Sequence, residues 1–468
     1  MKITFLGANR QVTGSCYCLE AGGSKIMIDC GLVQERAYLS RNWDSCPVKE
    51  SSFDAMLLTH IHIDHCGLIP KIVRDGFRGP IYATAPSVAL VEIMLLDAAH
   101  IQEEDAAYKK KRHDREGRIG PHKELPLYTT EDAEKSLSYF QSVSYQEPVR
   151  INDVFSVTFH EAGHILGSAM LEVTVTEKES PPRTIIFSGD IGQWNRPLVN
   201  DPTLFEKADY VVMESTYGDR EHLDEGDIEE QIGKIIHRTA KRGGNVVIPV
   251  FAVDRAQQLM YYISRLVHED RIPDLPIFLD SPMAVDVTAV YRRFSDCLDE
   301  ETQALLDSNE PPLRFPGLKF VRGVKESKAI NYLKEPCIIM SAAGMCNAGR
   351  IKHHLRNNIG KSRNTILFVG YQANGTLGRI ILDGKETVKI HGANYPVKAE
   401  IAQAHGVSAH ADRSDLMRWL RNLKTPPEMV FLTHGEESAA ISLADHIDDE
   451  LGWSTTIPHY LEEIELPK

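Results

Sequence analysis

The chain has 468 residues, with 66 acidic against 52 basic side chains and a formal charge of −14. That balance excludes a general polyanion binder, whose affinity rests on phosphate neutralisation over a broad basic surface, so any nucleic-acid contact must be local. The length leaves room for two domains of conventional size. Eight scattered cysteines without a Cys-x-x-Cys pair suit reduced thiols rather than a disulfide framework.

Taken in chain order, Met1–Asn9 opens as a strand and lacks the long apolar stretch of a signal peptide. No segment reads as the roughly 18 apolar residues of a membrane span, so a cytoplasmic protein without a membrane partner is expected. Lys25–Ile28 is a strand ending at Asp29. Phe53–Leu58 is another, and directly after it Thr59-His60-Ile61-His62-Ile63-Asp64-His65 sets four ligand-type side chains within six residues. A helix-like stretch from Ser87 leads into the basic run Lys109–Arg118, read as an exposed, solvated helix end. A strand ending at Phe159 precedes His160-Glu161-Ala162-Gly163-His164-Ile165-Leu166-Gly167-Ser168. Glu177–Arg183 reads as a hairpin-like surface loop, and Ile185–Gly189 carries a lone carboxylate, Asp190, at its end.

From there the pattern changes to alternating strand and helix. Gly244–Val250 precedes a helix from Arg255, Pro276–Leu279 one from Ala284, and Cys337–Met340 one from Arg350. Such alternation predicts an α/β domain with a parallel sheet. Its loops Ser341–Arg350 and Gly370–Arg379 are rich in glycine and small polar residues. Backbone N–H groups at helix N-termini favour phosphate, which makes Ser341, Gly344, Arg350, Asn374, Thr376 and Arg379 candidate substrate-phosphate contacts. A last apolar strand, Met429–Leu432, runs into Thr433-His434-Gly435-Glu436. The expected division is therefore 1–206 and 394–468 for a first domain, with 207–393 inserted.

The spacing in the histidine run has a physical reason. In an extended segment His60 and His62 project to one side and can share an ion, while Asp64 and His65 fall on the next turn and can reach a second. His164, preferred over His160 because Gly163 and Gly167 suit a tight loop, would complete the first ion's set. Asp190 can bridge both ions and leave room for a shared hydroxide of lowered pKa. Imidazole and carboxylate suit two Zn²⁺ per chain, with Mn²⁺ or Fe²⁺ also compatible.

His-x-His-x-Asp-His, the later single histidine and the later Ser-Gly-Asp resemble the metallo-β-lactamase superfamily. That resemblance implies an α/β fold, a four-layer αββα sandwich, in which Asp29 orients the ligand loop from behind and His434 is the final metal ligand. Pro249-Val250-Phe251-Ala252, Asp280-Ser281-Pro282-Met283-Ala284, the Gly344–Arg350 run with His353-His354-Leu355, and Tyr371-Gln372-Ala373 narrow it. They resemble the β-CASP nucleases over essentially the whole chain, with the inserted α/β domain as the β-CASP domain.

Carried over residue by residue, the resemblance makes His410 in Val407-Ser408-Ala409-His410-Ala411-Asp412 the catalytic histidine. Glu214 in Val211–Tyr217 is its acidic partner, and Asp64 belongs to the catalytic as well as the ligand set. Histidine rather than valine at position 434 is similar to the RNA-acting branch. The chemistry is coherent: His410 would protonate the leaving alkoxide, with Glu214 holding its tautomer. The resemblance further implies single-stranded RNA as substrate, mainly endonucleolytic cutting with 5′-phosphate and 3′-hydroxyl products, and a homodimer. Two positions depart from the pattern: Ile61, where a small or aromatic residue is usual, and Asp254, where glycine is frequent. His405 is read as structural. The alternatives are 5′-to-3′ exonuclease action in the same site, a small-molecule metallo-hydrolase, and an RNA-binding scaffold.

Overall fold

Along Lys2–Gly7, Ile3 and Phe5 point to one side, and the same period of two buries Tyr17 and Leu19, then Ile26 and Ile28, on the next two strands. These side chains meet Phe155, Val157, Phe159, Leu171 and Phe187 of a second sheet, so the main core lies between two sheets packed face to face. The computed structural model describes residues 1–117, 124–178, 180–222, 226–308 and 310–467. It divides into two compact units, one of Met1–Asn195, Asp201–Glu221 and His410–Lys468, the other of Arg196–Asn200 and His222–Ala409.

In the first unit one sheet runs, in spatial order, Glu463–Glu465, Lys2–Gly7, Cys16–Ala21, Ser24–Ile28, Ala55–Leu57, Ile81–Thr84, Phe140–Val143. The other runs Thr455–Thr456, Met429–Thr433, Tyr210–Glu214, Arg183–Phe187, Ala169–Val175, Phe155–Glu161, Pro148–Arg150. Helices Arg413–Leu420 and Glu437–Leu451 bury Leu416, Trp419, Ala440 and Leu443 against Ile186, Val211, Met213 and Leu432 on the outside of the second sheet. Helix Ala85–Glu116 packs on Ile81–Thr84 and Phe140–Val143 of the first. This is the expected αββα layering.

That long helix corrects one expectation, because it holds a stretch long and apolar enough to cross a membrane. Of that stretch 33% is buried, with Leu90, Val91, Leu95 and Ala99 turned inward while Glu92 and Asp97 share the same helix. Its basic end is exposed from Lys109 to Arg112. Arg118, the last residue of that basic run, and Glu179 of the surface loop lie outside the described residues.

The expected boundaries also move. Tyr210–Glu214 pairs in parallel with both Arg183–Phe187 and Met429–Thr433, so residues 207–221 stay with the first unit. Glu400–Ala404 pairs with Thr365–Val369, which carries residues 394–409 into the second. Arg196–Asn200 belongs there too, since the Arg196 guanidinium donates to Asp254 at 2.8 Å and the Leu198 N–H to Asp299 at 2.7 Å. Asp254 sits at φ 63°, in the left-handed region, a physical reason for glycine being frequent at this position.

The second unit is a six-stranded, all-parallel sheet in the order Leu318–Phe320, Ile277–Leu279, Ile338–Ser341, Val246–Pro249, Thr365–Val369, Glu400–Ala404. Asp280, at the end of one strand and fully buried, accepts from Arg350 at 2.6 Å, from Ser327 at 2.5 Å and from His354 Nε2 at 2.6 Å. Burial by itself would raise the Asp280 carboxyl, but these three donors hold it below the ordinary carboxylate value. Removing one partner of a buried ionic network leaves the others uncompensated, so Asp280→Ala is expected to lower stability by about 3–5 kcal/mol. Denaturant unfolding checks this, and a loss under about 1 kcal/mol would show the network to be dispensable.

Candidate metal centre

The centre is built from loops that follow four strands: Ala55–Leu57, Phe155–Glu161, Arg183–Phe187 and Met429–Thr433. After the first of these the chain stays extended through His62 (φ −59°, ψ 146°) and then turns into the short helix Ile63–Cys66. The conformational switch throws His60 and His62 to one position and Asp64 and His65 to another. Three backbone hydrogen bonds fix the loop, from Ser15 N–H to the Asp64 carbonyl (2.8 Å), Cys30 N–H to His65 (2.7 Å) and Leu32 N–H to Ile63 (3.0 Å). Ile61 is fully buried beneath it.

The first position collects His60 Nε2, His62 Nδ1, His164 Nε2 and Asp190 Oδ2. The imidazole nitrogens of His60 and His164 lie 3.1 and 3.0 Å from that of His62, and 3.3 and 3.5 Å from Asp190 Oδ2. A tetrahedron with arms of about 2.0–2.1 Å has edges of about 3.3–3.4 Å, so the four atoms are spaced as ligands of one ion of zinc's size. The second position collects Asp64 Oδ2, His65 Nε2, His434 Nε2 and Asp190 Oδ1, with separations of 3.2, 3.4 and 3.6 Å. Asp190 gives one oxygen to each. The buried atoms His65 Nε2, His434 Nε2 and Asp190 Oδ1 have no hydrogen-bond partner, a costly state that a shared cation relieves.

Protonation follows the same division. Burial pushes the His60 imidazole down to about 3 and lowers His62 and His164 as well, so three neutral imidazoles face the first position. At His65 and His434 burial also opposes charge, yet the nearby carboxylates of Asp190, Asp29 and Asp64 outweigh it and raise both. The second position is a negative field that holds a positive charge. These residues fit a divalent metal site.

Three of the imidazole ligands are oriented by a partner behind them. Asp29, at φ 56° beyond its strand, accepts from His65 Nδ1 at 2.7 Å and from the Thr59 hydroxyl and N–H at 2.8 Å each. The Thr59 hydroxyl, having given its proton to Asp29, accepts from His60 Nδ1 at 3.2 Å. Thr216 repeats the device, donating to Glu214 and accepting from His434 Nδ1 at 3.1 Å. With a cation bound, these partners would keep the proton of all three imidazoles on Nδ1 and leave the Nε2 lone pair to the metal position. Asp29→Asn is therefore expected to weaken metal affinity by about 10–100-fold while the fold persists, as a chelator-competition titration reads.

Beside the two positions, His410 Nδ1 donates to Glu214 Oε2 at 3.0 Å, and the fully buried Glu214 also accepts from the Ile191 N–H at 2.5 Å. The His410 ring packs 4.6 Å from that of His164, and its side chain is 21% exposed. Burial lowers its affinity for a proton, but the Glu214 carboxylate more than offsets this and the group is pushed up to about 9. Cations at the adjacent positions would draw it back towards neutrality.

His160 is not part of the cluster, since its Nε2 bonds to Glu172 at 2.9 Å. Gly163 and Gly167 are both left-handed (φ 67° and 84°), and the Gly167 carbonyl is held by the hydroxyls of Thr84 and Ser87, which seats the His164 loop. His405 lies in the second unit, its N–H donating to Gln231 at 3.1 Å.

The candidate phosphate contacts need correction. Arg350 spends its guanidinium on Asp280 and the Val321 and Arg322 carbonyls. Ser341 is fully buried and donates to the Asp280 carbonyl, Thr376 caps the helix Leu377–Leu382, and Arg379 pairs with Asp383. Gly344 packs under the Phe251 ring, where a Cβ would approach within 2.8 Å. Asn374 is exposed. Thr59 and Thr216, by contrast, escaped the sequence reading, although each lies within two residues of a candidate residue.

Three family models match the chain: a metallo-beta-lactamase superfamily domain at 18–207, a Beta-Casp domain at 256–381, and a Zn-dependent metallo-hydrolase RNA specificity domain at 394–458. The chain is 37% identical to Ribonuclease TTHA0252 of Thermus thermophilus over 95% of either chain. It is 29% identical to Transcription termination factor FttA of Methanocaldococcus jannaschii over 99% of its own length and 71% of the relative's. The crystal structure of a protein of unknown function from Enterococcus faecalis V583 shares the fold, with a TM-score of 0.54 over 99% of each chain at 11% identity. With its paired ligand sets and these matches, the chain belongs to the metallo-β-lactamase superfamily, in the β-CASP family.

Proposed function

We propose that the protein is a metal-dependent ribonuclease that hydrolyses single-stranded RNA, mainly at internal bonds, leaving 5′-phosphate and 3′-hydroxyl ends. The observation that carries this reading is a histidine with a carboxylate partner, His410 on Glu214, beside two ligand sets that share Asp190. Support also comes from the RNA specificity domain match and from a relative named a ribonuclease.

His60, His62, His164 and Asp190 would hold one divalent cation and Asp64, His65, His434 and Asp190 a second, zinc by ligand type with manganese or iron as candidates, and when bound they would supply a nucleophilic water at neutral pH and counter charge on the phosphoryl oxygens. The chain's residues do the rest. Asp190, with an oxygen at each position, fixes the distance between them. His410, held at Nδ1 by Glu214, presents a protonated Nε2 to the leaving oxygen, where an alkoxide would otherwise have to depart unprotonated. The eight free thiols support a cytoplasmic setting. The family resemblance favours a homodimer, which sedimentation of the purified protein tests, a monomer mass overturning it.

The functional test is product mapping. Single-stranded RNA and matched DNA, each labelled at one end or the other, are incubated with metal-loaded protein and with His410→Ala. Internal RNA fragments with 5′-phosphates, absent in the variant, are expected. Mononucleotides alone would replace the reading with an exonuclease, and intact RNA under zinc, manganese and iron would overturn it.

A further inference from the structure

In an open parallel sheet, ligands gather at the carboxyl ends of the strands. In the second unit the adjacent strands Val246–Pro249 and Thr365–Val369 each end two residues before an aromatic side chain, Phe251 and Tyr371. Neither ring is taken into the core, since Phe251 is 41% and Tyr371 63% exposed. The two loops that carry them meet at the Gly344 backbone. Phe251 lies on it so closely that a Cβ has no room, and Gln372, next to Tyr371, donates to the Gly344 carbonyl at 3.1 Å.

Positive charge continues from this edge. Lys352 Nζ donates to the Asn347 carbonyl of the same loop at 3.2 Å and opens the helix Ile351–Asn358, on which Arg356 follows one turn later on the same face. His353 and His391 stack alongside with ring centroids 4.5 Å apart. After partial burial, the cationic neighbours lower both imidazoles, Arg356 acting on each. Among the described residues none of these four side chains has a carboxylate partner. On a chain of charge −14, that is a local concentration of uncompensated basic side chains.

We infer that this edge of the second unit is a track for single-stranded RNA, with Phe251 and Tyr371 stacking on unpaired bases and Lys352 and Arg356, flanked by His353 and His391, contacting phosphates. Aromatic faces accept any base, and flexible cations follow a backbone without reading sequence, so the track binds unpaired strands irrespective of sequence and rejects duplex, whose bases are already stacked. The inference rests on the ribonuclease reading and adds where substrate is held outside the metal centre.

The test is fluorescence anisotropy of a labelled single-stranded RNA of about 20 nucleotides on the full chain, long enough to exceed one binding site. It is run in the His410→Ala background so that RNA is not cut, with Tyr371→Leu and Lys352→Ala/Arg356→Ala added in turn. Tyr371→Leu is expected to weaken single-strand binding about tenfold and leave duplex binding unchanged. The double variant should reduce the slope of log affinity against log salt by roughly 1.4, two phosphate contacts of a single strand. In chains that retain His410, both variants should hydrolyse bis(4-nitrophenyl) phosphate, which has no bases and no neighbouring phosphates, at the parent rate. Parent-like RNA affinity in both variants of a protein that cuts RNA would overturn the track alone, as would an equal loss on the small substrate. Failure of the parent to bind or cut RNA would overturn the ribonuclease reading.

Discussion

Asp190→Asn is expected to lose bound metal from both positions at once, whereas His434→Ala should keep the ion held by His60, His62 and His164. The reason is geometric. Among the described residues Asp190 is the one side chain whose two oxygens face different ligand sets, 3.3 and 3.5 Å from the nitrogens of the first and 3.2 and 3.6 Å from those of the second. His434 serves a single set. An amide in place of the carboxylate removes the one negative charge that the two sets share and turns one arm into a donor facing a cation. Metal analysis after gel filtration separates the cases, and RNA hydrolysis by Asp190→Asn should fall further than the loss of any proton donor explains, beyond about 10⁴-fold. Equal metal content in the two variants would remove the bridging role.

His410→Ala is expected to behave in the opposite way, keeping both ions and its unfolding temperature while RNA hydrolysis falls by about 10²–10⁴-fold. The side chain packs on His164 and bonds to Glu214 without being one of the ligands, and the Glu214 carboxylate keeps its bonds from Ile191 and Thr216 when the imidazole is removed. The decisive comparison is the leaving group. A 4-nitrophenolate departs without a proton, so His410→Ala should retain most of its activity on a nitrophenyl phosphodiester while losing it on RNA. Equal losses on the two substrates would assign His410 to positioning instead of proton transfer.

These expectations depend on which side chains meet, and that was legible unevenly. His60, His62, Asp64 and His65 could be read because an extended segment followed by one helical turn sorts neighbours by local geometry alone. His164, Asp190 and His434 could be read because each follows a recognisable apolar strand, and strand ends gather at one sheet edge. Arg350 could not. Its partner Asp280 lies 70 residues away, and nothing local separates a cation buried on a carboxylate from one waiting for a phosphate. The compact units are divided differently from the expected 206/207 and 393/394 boundaries for a similar reason. Tyr210–Glu214 is buried on both faces, so it carries no alternation to show which sheet owns it, and Glu400–Ala404 is assigned by a parallel pairing with a strand more than 30 residues earlier. Thr59 and Thr216 act through single hydroxyl protons, below what residue type reveals.

The order in which the ligands occur along the chain has its own consequence. The first set is complete once Asp190 has been made, but His410 and His434 come only after the whole second unit, and the His434 N–H is then anchored on the carbonyl of Ala8, at the other end of the sequence. A chain emerging from the ribosome folds from its N-terminal part first. From residue 190 to residue 410 of its synthesis the nascent chain therefore carries the whole first ligand set while the second set and the His410–Glu214 pair are still incomplete.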